Sequence, residues 1–84
     1  MEEKPVGKIS HFFNKISVGI IELSDELKVG DKIHIKGHAT DFEQEVASMQ
    51  VEHQDVPEAK KGDSVGTKVD QPVREHDEVF KVVE

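Results

Sequence analysis

The sequence predicts an all-β fold, a small closed six-stranded β-barrel formed by residues 1–84 as a single domain. Three observations carry that expectation. The apolar residues are mostly β-branched, with twelve Val and six Ile against two Leu and three Ala. A branched Cβ restricts χ1 in a helix and suits a pleated surface. Turn signals recur at short intervals: Asn14-Lys15, Ser24-Asp25, Gly30-Asp31, Gly37, Pro57, Gly62-Asp63, Pro72 and His76-Asp77. Finally, two apolar runs change face part-way along, as strands do when bulges bend them round a barrel.

The first expected strand, VGKISHFF (6–13), ends in the aromatic pair Phe12-Phe13. The second, ISVGIIEL (16–23), switches from Val18 and Ile20 to Ile21 and Leu23. A tight reversal follows, with Gly30 supplying the positive φ at the turn into the third strand. In DKIHIKGH (31–38) alternation is clean, Ile33 and Ile35 facing in while Lys32, His34 and Lys36 face out. The fourth, TDFEQEVASMQVEH (40–53), places Phe42 and Val46 on one parity and Met49 and Val51 on the other. That shift predicts a bulge near Ala47-Ser48. DSVGTKVD (63–70) and EVFKVVE (78–84) complete the set. Closure is expected to remove the bare edges of a short, Val-rich sheet.

Composition narrows the chemistry. There is no cysteine, so disulfides, thiolate metal ligands and thiol catalysis are excluded. Apolar runs of a few residues fall far short of the roughly 20 needed for a membrane-spanning helix, and MEEKPVGK lacks the features of a signal peptide. A soluble cytoplasmic chain without membrane association is the expectation. Net charge is −7, all of it from residues 41–84. Only the N-terminal half, through Lys4, Lys8, Lys15, Lys32 and Lys36, could present a face suited to phosphates.

Catalytic and metal-binding patterns are weak. His34 and His38 would share a helix face, but on a strand they stand roughly 13 Å apart at about 3.3 Å per residue, so no metal is expected. Glu43/Glu45 and Asp77/Glu78 read as solvated acids rather than a cleft-bound carboxylate pair. No serine lies in a G-x-S-x-G elbow. No catalytic residue and no cofactor is expected. Phe12 and Phe13 point to opposite faces of a strand, so one is free for base stacking, for a protein partner or for ordinary packing. Lys8 and Lys15 flank them, and Lys60-Lys61 offer a second cationic turn.

LKVGDKIHIKG (27–37) followed by VASMQVEHQDVPEAKKGDSVG (46–66) resembles the second domain of translational GTPases such as elongation factor Tu, over about residues 5–83. In that family a Gly-Asp turn launches a strand, and a lysine-bearing turn precedes the fifth. Ala59 is then expected to pack against the barrel. The phosphate loop G-x-x-x-x-G-K-[ST] is absent, so this chain alone binds no nucleotide. Similar barrels occur as C-terminal appendages of collagenase-type peptidases and as free-standing elongation-factor-like proteins, and the chain resembles the free-standing kind. The resemblance implies a non-enzymatic translation module with tRNA or other RNA as ligand, contacted weakly by Lys8, Phe12, Phe13, Lys15, Lys60 and Lys61. An adaptor docking on an enzyme or on a GTPase domain in trans is the alternative.

Overall fold

Alternation of Ile33 and Ile35 with Lys32, His34 and Lys36 gives a regular strand, β4 (Lys32–Lys36). The computed structural model describes residues 2–83 and is all-β. Its ten strands, among the described residues, are β1 (Glu2–Phe13), β2 (Val18–Leu23), β3 (Leu27–Lys28), β4, β5 (Asp41–Glu45), β6 (Gln50–Val51), β7 (Gln54–Asp55), β8 (Glu58–Ala59), β9 (Ser64–Lys68) and β10 (Glu78–Val83). Eight form one antiparallel sheet in the order β5-β4-β10-β1-β2-β9-β6-β7, and β3 pairs with β8 as a separate ribbon. The last expected strand ran to Glu84, which lies outside the described residues.

The closed six-stranded barrel is corrected. The sheet has two ends, β5 and β7, and does not close. Where closure would need a ladder, a side chain stands in. Gln44, buried on β5, donates from Nε2 to the Lys68 carbonyl (2.8 Å) and accepts the Asp70 N–H at Oε1 (2.7 Å). The edges are managed by other means than closure: β7 is two residues long, and β5 carries exposed Asp41, Glu43 and Glu45.

Curvature also arises elsewhere than expected. The long fourth strand breaks into β5 and β6, and residues 46–49 between them bury Val46 and Met49 while Ala47 and Ser48 stay exposed. The expected face switch in β2 is absent. Gly19, Ile21 and Leu23 all face in, and Val18 and Ile20 lie half-buried on the other face. Gly19 is there because Val73, Ile9 and Val69 fill the space over it. The register shifts fall instead in β1, one between Pro5 and Gly7 and one between Ile9 and His11. They let Val6, Ile9 and Phe12 face the interior at a spacing of three.

One turn recurs three times. Lys28-Val29-Gly30-Asp31, Lys60-Lys61-Gly62-Asp63 and Arg74-Glu75-His76-Asp77 each close with the N–H of the Asp donating to the carbonyl of the first residue (3.0–3.1 Å). The same Asp carboxylate accepts the N–H of that first residue, at 2.9, 3.1 and 2.9 Å. The third residue has positive φ each time, at 97°, 95° and 74°. These turns launch β4, β9 and β10 respectively.

Val6, Ile9, Ile21, Ile33, Ile35, Val65 and Val79 form the centre of the core, each at most 1% exposed. The β3–β8 ribbon adds Leu27 and, as expected, Ala59. Residues 69–77 add Val69 and Val73, held by the Val69 N–H on the Ser17 carbonyl and the His76 N–H on the Ile9 carbonyl, both 2.8 Å. Among the described residues, every buried side-chain nitrogen or oxygen has a partner.

Candidate functional site

The β1–β2 hairpin carries the most exposed large apolar side chains. Its turn, residues 14–17, closes with the Ile16 N–H on the Phe13 carbonyl and puts Ser17 at φ 56°. Ile16 is thereby turned outward and is 61% exposed, and Phe13 is 45% exposed. Phe12 faces the other way and packs on the core. Phe12 to Ile16, with Asn14 and Lys15, line a shallow depression of about 280 Å³. The His11 ring meets Phe13 edge-on at 4.6 Å between centroids.

The six residues expected to form one contact surface do not come together. Phe12, Phe13 and Lys15 lie at the Val18 end of β2. The turn holding Lys60 and Lys61 is bonded to Leu23, at its other end. Along a strand rising about 3.3 Å per residue that is roughly 17 Å. Lys60 shares its depression with Glu26, Glu58 and Asp63. Lys8 stands between Glu22 on β2 and Glu78 on β10. Acids beside both lysines would compete with a phosphate for them.

A second cluster lies on the outer face of the sheet. His34 on β4 is directly opposite Glu43 on β5 and Phe80 on β10, and its side chain is 13% exposed. Its Nδ1 is 2.8 Å from Glu3 Oε2, and its Nε2 is 2.5 Å from Asp41 Oδ1. The hydrogen bond to Asp41, with Glu3 adding to it against the penalty of burial, raises the imidazole pKa above its ordinary value. The same bond holds the Asp41 carboxyl below the usual range. Donor atoms of Glu3, His34 and Glu43 fall within 4.8 Å of one another, a spread a metal ion could bridge. However, Lys32 Nζ engages Glu43 at 3.0 Å and both ring nitrogens of His34 already face carboxylates. The cluster is an ion-pair network.

Sequence reasoning missed Ile16 and the Glu3–His34–Asp41 contact. Ile16 opens the second expected strand, ISVGIIEL, whereas in the structure it belongs to the turn that holds Asn14 and Lys15. His34 was read in relation to His38, whereas its partners come from β1 and β5. Ser10 donates to the Ile20 carbonyl and Ser64 to Glu22. No helix among the described residues is long and apolar enough to cross a membrane.

No protein-family model matches the chain. An uncharacterised protease of Methanocaldococcus jannaschii is 46% identical to it over 80 residues, which is 94% of this chain and 20% of the protease. The chain thus spans about a fifth of the relative it matches. Two crystal structures of the C-terminal domain of a Geobacillus thermoleovorans protein assigned to the U32 peptidases share the fold. One has a TM-score of 0.88 at 17% identity, covering 96% of this chain and 93% of that domain. The other, a selenomethionine variant, has a TM-score of 0.86 at 15% identity, covering 90% and 96%. These findings correct the resemblance to the second domain of translational GTPases. The likeness runs to a protease and to a peptidase C-terminal domain, so the translation module is set aside.

Proposed function

We propose that the chain is an accessory β-domain of a U32-type peptidase, working in the same polypeptide as the catalytic part or docked on it, and that the peptide-cleaving groups lie in that other part. The observation that carries this reading is 46% identity across 94% of the chain to one fifth of a protease. The chemistry agrees with it. The chain's conspicuous surface feature is an apolar hairpin tip, while Glu43 is paired with Lys32, Ser10 donates to the Ile20 carbonyl and Ser64 donates to Glu22. Phe13 and Ile16 would meet the catalytic part of such a peptidase, because burial of exposed apolar area is what drives association between domains.

The test uses the M. jannaschii protease produced without its matching fifth. The purified chain alone should cleave no peptide and should bind the truncated protease. Phe13→Ser and Ile16→Ser, both on exposed side chains, should leave folding intact and weaken binding by about tenfold or more. Peptide cleavage by the chain alone, or binding indifferent to both substitutions, would sink the proposal.

A further inference from the structure

A neutral imidazole has one N–H and one lone pair, so it can donate to a single carboxylate. His34 has a carboxylate oxygen within hydrogen-bond distance of each ring nitrogen, Glu3 on one side and Asp41 on the other. Only the imidazolium, with two N–H donors, satisfies both. The two carboxylates belong to different parts of the sheet. Glu3 lies near the N-terminal end of β1, paired with Val82 of β10, and Asp41 opens β5. His34 therefore reaches from the β4–β5 hairpin across β10 to β1.

We propose that His34 is a proton-operated clamp, which in its doubly protonated form ties the N-terminal end of β1 to the β4–β5 hairpin and on deprotonation releases it.

The surrounding charges fit this role. From β5, Asp41 and Glu43 face the imidazole, and Lys32 neutralises Glu43. From β1 comes Glu3, and β10 offers the uncharged ring of Phe80, 6.4 Å away, with Glu78 two residues before it on the same face, opposite Lys36. On β4 itself, Lys32 and Lys36 flank the site, and Lys36 acts on Asp41. Because the folded-state pKa of His34 is raised, the clamp's contribution is complete below the ordinary value of about 6.5 and is lost as pH rises through the raised one. On the acid side, Asp41 is held below its ordinary 3.8, so its contribution is complete above that value and is lost as pH falls through the lowered one.

The experiment is an NMR pH titration of the labelled chain, following the ring nitrogens of His34 and the exchange protection of the amides bonded between the Glu2–Lys4 and Lys81–Val83 stretches of the β1–β10 ladder. His34 should hold both protons to a pH above about 6.5, and protection of those amides, corrected for intrinsic exchange, should fall about tenfold through its midpoint. Glu3→Gln and Asp41→Asn should each lower that midpoint. His34→Gln should remove the pH dependence of the protection. If His34→Gln fails to fold, Asp41→Asn decides, since Asp41 is an exposed residue at a strand end. A midpoint at or below the ordinary histidine value, or protection unchanged through it, overturns the clamp.

Discussion

The turns at 28–31 and 60–63 differ from the turn at 74–77 at the positive-φ third residue and in how far the aspartate is buried. All three have the same hydrogen bonds and the same positive-φ third position, yet that position is glycine in the first two and histidine in the third. All three turns are tied to a neighbouring segment by the same pair of backbone bonds: Gly30 and Asp31 bond to Val46, Gly62 and Asp63 to Leu23, and His76 and Asp77 to Ile9. A side chain added at Gly30 or Gly62 would meet nothing within 4 Å. The third turn differs in its aspartate: Asp77 is 4% exposed and packed on Gly37, whereas Asp31 and Asp63 are only partly buried. A left-handed residue with a Cβ carries a strain that the surrounding contacts must offset.

That contrast can be broken most directly through the aspartates. Asp77→Ala would remove a buried acceptor and leave the Arg74 N–H and the Gly37 packing unsupported, a loss of about 1–3 kcal/mol in chemical denaturation. Asp63→Ala makes the same deletion where the carboxylate is only partly buried and water can replace the lost partner, and should cost no more than about 1 kcal/mol. Equal losses would mean that the surroundings do not matter. Next in size, Gly30→Ala and Gly62→Ala should each destabilise by about 1 kcal/mol, all of it from the backbone, since no neighbour is in the way. The smallest effect is expected of His76→Gly. Relief of the left-handed strain and the greater freedom of glycine in the unfolded chain oppose each other, leaving a change within about 0.5 kcal/mol. A larger gain would show that the histidine is held under strain its neighbours do not offset.

The same distinction explains what the sequence made legible. Gly30 and the alternating Ile33 and Ile35 were readable because local geometry demands those residues. So was the all-β class, from its Val and Ile content. The face of β2 was misread because Gly19 occupies an inward position without an apolar side chain, so the pattern there rested on Val18 and Ile20. The bulges of β1 leave a trace, Val6, Ile9 and Phe12 at intervals of three, which a search for alternation passes over. His34 could not be placed with Glu3, because that contact depends on β10 lying between β4 and β1. As for the resemblance to translation factors, it rested on Gly-Asp turns and a short Ser-Met-Gln run. Turns of that kind report how a chain reverses before a strand, a need shared by folds with unrelated work.

Gln44 has a mechanical consequence. Around most of the molecule, neighbouring segments are stitched by repeated backbone bonds, but between β5 and the end of β9 the primary amide of Gln44 imitates a single peptide unit, offering one donor and one acceptor. A row of bonds can lose one and hold; this seam has the two bonds of Gln44 and, beside them, the Thr67 hydroxyl on the Ser48 carbonyl. Under load or thermal agitation the molecule should part first along this line. Water would then reach Phe42 and Val46 while the β4–β10–β1–β2 portion stayed intact, making the seam the point where unfolding begins.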